Sequence, residues 1–378
     1  MKGKNFRYIP AIDQLRGIAA LIIICYHGLH LFSYQLRFQQ PFSFDHWLES
    51  SHPLVAALIE GHTAVALFLV LSGFIFTYGA HEQTIDYASF LYNRVLRIFP
   101  LFVFLYMSAV FIFPERYSFL GFLQGLLLQA NLPGATFIEP FTSLFWTIAV
   151  EFQFYLLFPL LLHFQRHYGV RYLLLVIALF LIVRALGTWL GGNPRDLSYS
   201  TILGRLDQFI IGMLIALLYR QRQLPRHYAF LSWLISVVAL ITSLAGFHAI
   251  GGYPAINWFK IFWPTLEAVL WGSFIYCYLC LWNHQRSWIL LILGRIGNIS
   301  YSLYLLHMIV LAVFIKANIT ILANTSHHLL NAIASTLVLV LPLSIGFAIL
   351  TYHVIERPFL ELRRTYLRKQ PTIAQQNE

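Results

Sequence analysis

Charge is what this sequence has least of. Only 11% of its 378 residues are Asp, Glu, Lys or Arg, less than half the ~25% of an ordinary soluble domain. With 59% hydrophobic residues there is too little polar surface to cover a water-soluble fold. Cysteine is nearly absent: Cys25, Cys277 and Cys280 all fall in apolar runs, where a structural disulfide has little reason to form. The CxxC spacing of the last two has no second pair and no soluble redox context, so it reads as packing. The chain carries no Walker loop and no dinucleotide fingerprint, which removes nucleotide hydrolysis and hydride transfer. His62, His81, His327 and His328 stand without the cysteine or carboxylate company of zinc and iron sites, so no metal is expected.

What fills the chain instead is a series of apolar runs near ~20 residues, the length that crosses a ~30 Å hydrocarbon core as helix. They fall at 17–36, 62–80, 98–113, 144–163, 170–189, 203–219, 229–247, 261–282, 299–316 and 330–353. The first is too long for a signal-peptide core and no small-residue cleavage site follows it, so it reads as a retained helix. An eleventh run, 119–129, is short and reads as a re-entrant or interfacial segment. The net charge of +10 forms no extended basic face, so nucleic acid is not an expected partner; the basic residues cluster beside the runs. With ten spans both termini share a side, and that side collects eighteen of the 25 Lys and Arg residues, which makes it cytoplasmic. The expectation is an all-α integral membrane protein of about ten transmembrane helices with both termini cytoplasmic. A single domain covers 1–360, and a basic-to-polar cytoplasmic tail covers 361–378, its end, 370–378, disordered. The longest loops, 37–61 and 114–143, face outward, and no internal repeat is present.

A titratable group at mid-membrane costs at least ~2.5–3.5 kcal/mol, so each needs a partner or a task. Six stand out: His27, Glu151, Arg184, Asp207, Glu267 and His307. Mutual pairing that fixes helix packing accounts for such groups in general. His27 is the exception, because Arg16 lies eleven residues earlier, about three turns at ~3.6 residues each, and shares its helix face. At ~1.5 Å per residue His27 sits roughly 16 Å deeper than Arg16, where an imidazole exchanges protons near neutral pH. Asp13, three residues before Arg16, is placed to hold its guanidinium; Arg16 taken alone is also a snorkelling anchor. Arg94 and Arg97, at i and i+3 before the third run, can grip phosphate or simply anchor topology. Glu151 can orient a histidine or pair with Arg184 or another cation. Asp207 has its simplest partner in Arg205 or an adjacent helix, Glu267 reads as a packing group, and His307 reads first as a hydrogen-bonded packing histidine.

Several strings then fall in a recognisable order: AIDQLRGIAALIIICYH, LFLVLSGFIF, NRVLRIFPLF, SLFWTIAVEFQFYLLFPLL, GRLDQFIIGMLIAL, LGRIGNISYSLYLLH and VIERPF. Together they resemble the acyltransferase-3 family of integral membrane O-acyltransferases across nearly the whole chain. The resemblance implies transfer of an acyl group, commonly acetyl, from cytoplasmic acyl-coenzyme A to a hydroxyl of a saccharide or glycolipid at or beyond the membrane. It carries His27 as the essential histidine and Arg94 and Arg97 as the basic pair for the coenzyme's phosphates. Arg16, Ser72, Glu151 and Glu356 come with it as motif residues, Ser72 on the donor side. Many relatives append an extracytoplasmic hydrolase-like domain, which does not follow Glu356 here. The residues support this chemistry independently. Attack of an alcohol on a thioester needs a general base, and imidazole has a suitable reference pKa of ~6.5; an imidazole can equally carry the acyl group. Ser72, Tyr301 and half-helix backbone amides are candidate oxyanion donors. Two other classes fit less well. A transporter or flippase also needs buried ionisable groups but typically shows repeats, and a membrane scaffold leaves His27 without a task.

Overall fold

A computed structural model describes residues 8–40, 42–80, 82–283, 287–322 and 327–369. Lys2, Lys4, Arg7, His81, Arg286 and the polar end 370–378 lie outside the described residues. Among the described residues, nine helices are long and apolar enough to cross a membrane. They are α1 (Pro10–Phe38), α2 (Gly61–Ala80), α3 (Tyr87–Ile112), α4 (Phe145–Tyr168), α5 (Val170–Trp189), α6 (Pro194–Gln221), α7 (Arg226–Ala249), α8 (Trp263–Trp282) and α11 (His328–Glu361). Between the last two, α9 (Trp288–Asn298) and α10 (Ser300–Lys316) meet at 75° and together make a tenth, broken span. The run expected at 299–316 is therefore one half of a kinked pair. The run at 119–129 forms a helix only over Phe119–Leu126, too short to span.

Local chemistry sets the helix ends. Pro10 occupies the first turn of α1, where its missing N–H costs nothing, and Asp13 sits in the same turn facing the positive end of the helix. Asp86 caps α3 by accepting the Ser89 amide at 3.1 Å. The chain after α11 turns back along the bundle: Asn93 on α3 donates to the Arg364 carbonyl at 2.7 Å and accepts the Arg364 amide at 2.8 Å. Strand β2 (Leu367–Lys369) then pairs antiparallel with β1 (Gln83–Ile85), Thr84 opposite Arg368. Residues 363–369 are thus docked against the base of α3.

Glycines let the central helices touch backbone to backbone. A Cβ on Gly73 of α2 would sit 2.0 Å from the Phe209 carbonyl of α6, and one on Gly212 of α6 would sit 2.0 Å from the Val70 carbonyl of α2. Gly17 of α1 and Gly297 of α9 interlock in the same way against Leu293 and Asp13. Such small-residue contacts drive helix association where lipid competes equally for apolar surface.

Three of the six mid-membrane ionisable groups take structural partners. Arg184 on α5 donates to Asp207 on α6 at 2.7 Å, and both side chains are fully buried; Thr265 donates to the same carboxylate. Arg184 is therefore not available to Glu151. Glu267 on α8 lies 3.6 Å from Arg205 and accepts from Gln208 at 3.0 Å. These mutually neutralised pairs tie α5, α6 and α8 together and leave the histidines, Glu151 and the arginines of α1 and α3 to be explained.

Candidate active site

Two cavities lie end to end inside the bundle. The inner one, about 70 Å³, is lined by Arg16, Ser72, Arg97, Glu151, Thr147, Ser300 and Tyr301, among others. The outer one, about 640 Å³, is lined by Tyr26, His27, His30, His62, Tyr199, Arg205, Tyr253 and neighbouring groups. Val65 of α2 and Tyr304 of α10 are common to both. Thr147 donates to the Leu144 carbonyl at 2.7 Å, so the Tyr304 hydroxyl, 2.9 Å from Thr147 Oγ1, is the donor in that contact. The Tyr304 ring is held across the junction by this bond and by an edge-on contact with Phe68.

The spacing of Arg16 and His27 on one face of α1 has a clear structural outcome: Arg16 lines the inner cavity and His27 the outer. Arg16 donates to Asp13 at 3.3 Å. Arg97 also faces the inner cavity, but Arg94 does not line it; its guanidinium lies over the rings of Phe76 (4.9 Å), Phe90 and Tyr155. The pair is split between a cavity wall and an aromatic stack. A further arginine, Arg363, joins this end of the bundle. Burial, then the positive field of Arg97, Arg94 and Arg16, pushes the Arg363 guanidinium down to about 10. Sequence reading placed Arg363 in the tail, because nothing in a string reports that the chain folds back to α3.

Among the described residues, Glu151 hydrogen-bonds no histidine. It accepts from Ser72 Oγ at 3.1 Å and from the Tyr155 hydroxyl one turn on, and it stands within electrostatic reach of Arg16 and Arg97. The Ser72 hydroxyl is thereby committed to Glu151, and the Tyr301 hydroxyl donates to the Ile98 carbonyl at 2.8 Å. Glu356, 2% exposed, accepts from Ser302. The break between α9 and α10 brings the start of α10, Ser300 and Tyr301, to the inner cavity wall, so the positive end of that helix dipole adds to the arginines.

On the other side, His27 Nδ1 lies 2.9 Å from His307 Nε2. His307 is fully buried and does not line either cavity, whereas His27 is half-buried and lines the outer one. Beside the outer cavity's His62 and Tyr253, the fully buried Glu60 accepts from Trp47 Nε1 at 3.1 Å and the Tyr253 amide at 3.1 Å and meets His248 Nδ1 at 2.8 Å. His62 is 3.5 Å from the same carboxylate, so it does have acidic company, contrary to the sequence expectation. Among the described residues, no group of three or more His, Cys, Asp or Glu is arranged to hold a metal ion. Lys260, also buried, donates to the Gly252 and Tyr253 carbonyls, and burial pushes its ammonium down to about 7.

The chain is similar to known proteins over most of its length. Residues 9–353 match the family model described as an acyltransferase domain. Nodulation protein 10 of Rhizobium leguminosarum bv. viciae is 28% identical over 369 residues, 87% of this chain and 91% of that protein. Acyltransferase MdmB of Streptomyces mycarofaciens is 31% identical over 172 residues, 43% of this chain and 41% of MdmB. YrhL of Bacillus subtilis, provisionally named a peptidoglycan O-acetyltransferase, is 24% identical over 250 residues, 59% of this chain and 35% of YrhL. No solved structure matches the chain.

Proposed function

Because this chain belongs to the acyltransferase-3 family, and so is a multi-pass membrane acyltransferase, we propose that it moves an acetyl group from acyl-coenzyme A to a hydroxyl of a cell-envelope or exported saccharide or glycolipid. In this reading it sits in a bacterial cytoplasmic (inner) membrane with both termini and the inner cavity on the cytoplasmic side. The observation that carries the reading is the pair of cavities meeting only at Val65 and Tyr304, one walled by arginines and the other holding His27. A transferase whose donor and acceptor come from opposite faces needs such an arrangement.

Arg97, Arg16 and Arg363 supply the positive field that holds a polyanionic donor at the inner end, with Arg94 adding charge from its aromatic stack. The donor's thioester supplies an activated carbonyl. His27, at the outer side, takes the proton of the acceptor hydroxyl as its oxygen bonds to the acyl carbon; the carbon–sulfur bond breaks, and the departing thiolate is stabilised by the arginines until it is protonated. The likeness to YrhL, named for O-acetylation, supports acetyl as the acyl group. The aromatic and amide lining of the outer cavity, with Tyr26, Gln35, Phe44 and Tyr253, suits a hydroxyl-rich ring.

The test is coenzyme A release by the purified protein in lipid nanodiscs, given acetyl-coenzyme A and a panel of envelope glycans and glycolipids. Acceptor-dependent release with mass gain of an acetyl group on the acceptor is expected. Turnover with none of the saccharide classes, alongside turnover with a non-carbohydrate alcohol, would overturn the acceptor assignment.

A further inference from the structure

The contact between the two imidazoles fixes more than packing. His307 Nδ1 lies 3.1 Å from the Leu303 carbonyl, one turn earlier on α10. A carbonyl oxygen only accepts, so His307 Nδ1 carries the hydrogen, and in the neutral ring Nε2 is left with a lone pair. That lone pair faces His27 Nδ1 at 2.9 Å, so the hydrogen of this second bond belongs to His27 Nδ1. With Nδ1 carrying the hydrogen, His27 Nε2 holds the lone pair, and among the described residues it has no hydrogen-bond partner.

We infer that His307 is a positioning residue for the transfer reaction: by accepting from Nδ1 of His27 it holds that ring in the one tautomer, and the one orientation, that offers a basic Nε2 to the outer cavity. The inference rests on the reading of His27 as the base. When Nε2 takes a proton, the Nδ1–H bond to His307 becomes charge-assisted and strengthens, so the same contact favours the charged form as it develops. Onward relay stops at His307, because its far nitrogen already donates to a backbone carbonyl that cannot take the proton up. His307 therefore orients and stabilises without relaying protons.

The test compares His307→Leu, which removes the acceptor, with His307→Gln, whose Oε1 can accept from Nδ1, both as purified proteins in nanodiscs. For His307→Leu, kcat should fall by about 10–10²-fold. KM for acetyl-coenzyme A should stay within about twofold, since the donor end lies in the other cavity. His307→Gln should recover most of kcat. A folded His307→Leu within twofold of the parent kcat overturns the inference, as does a folded His307→Gln that is no better than His307→Leu. His27→Asn separates the two levels: if it retains parent activity the base assignment itself has failed, whereas an inactive His27→Asn beside an unaffected His307→Leu removes only His307. Should His307→Leu not fold, ¹⁵N NMR of histidine-labelled parent protein decides. A protonated Nδ1 and bare Nε2 at His27 support the inference, and the reverse tautomer overturns it.

Discussion

The inner cavity is small and densely ionic, with Arg16, Arg97 and Glu151 around about 70 Å³, while the outer cavity is some nine times larger (640 against 70 Å³) and spreads Arg205, Lys316 and Glu139 among rings, imidazoles and amides. On the proposed reading each composition suits one half of the reaction. A donor shared by all turnovers can be gripped by closely spaced charges, and a hydroxyl-bearing acceptor is met by broad amphipathic contact. The price of this division is distance, and α1 bridges it by presenting Arg16 to one cavity and His27 to the other along a single face. If the division is functional, substitutions on the two sides must separate kinetically.

The largest separation is expected at His27. His27→Asn keeps a hydrogen-bonding side chain of similar reach but cannot exchange a proton near neutral pH, so turnover should fall by ~10²–10⁴-fold. KM for acetyl-coenzyme A should not move, and the protein should insert normally because little apolar volume is lost. Steady-state kinetics with one acceptor suffices, and near-parent turnover would dismiss His27 from the chemistry.

Arg97 should give the opposite pattern. Losing a charge-assisted phosphate contact costs about 1.5–3 kcal/mol, so Arg97→Ala should raise KM for the donor by about 10–10²-fold with a smaller change in kcat. Arg94→Ala should raise it less, because Arg94 is stacked over Phe76, Phe90 and Tyr155 outside the cavity wall. Equal effects of the two substitutions would mean that long-range field, and not contact, holds the donor. Topology mapping of each variant excludes a change in insertion.

These residues were legible in the sequence to different degrees, for physical reasons. The spans are visible because hydrocarbon thickness imposes a length, and His27 is visible because an 11-residue spacing puts it under Arg16. Helix periodicity says nothing about which helices are neighbours. Arg184 finds Asp207 instead of Glu151, Glu151 is met by Ser72 and Tyr155, and Arg363 reaches the inner end only because Asn93 clamps the Arg364 backbone. Likewise, the run at 299–316 looks like one straight span, since the 75° break before Ser300 needs no proline and leaves hydropathy unchanged. The role of Tyr304 lies in being shared by two cavities, a property no string contains.

Tyr304 offers a direct way to break the comparison. With Val65 it is common to both cavities, and its hydroxyl is fastened to Thr147. Tyr304→Ala should join the cavities and admit water to the thioester end, so acceptor-independent release of coenzyme A should rise several-fold while the yield of acylated acceptor per coenzyme released falls. Tyr304→Phe keeps the ring and should stay near the parent ratio. If Tyr304→Ala leaves the ratio of hydrolysis to transfer unchanged, the ring is not the partition.

The smallest expected effect concerns Arg363, and it sharpens the inner cavity's side of the contrast. A guanidinium stays charged throughout the working pH range, so Arg363 adds fixed positive charge beside Arg97, Arg94 and Arg16. Because Arg363 is partly exposed, screening limits its share of donor binding to about two- to fivefold. The probe is adenosine 3′,5′-bisphosphate, which presents phosphates without a titrating thiol, measured by calorimetry at low and at high salt. Arg363→Gln should bind more weakly than the parent, with the larger loss at low salt. Parent-like affinity in Arg363→Gln at both salt concentrations would return Arg363 to the role of a tail residue that merely docks the chain against α3.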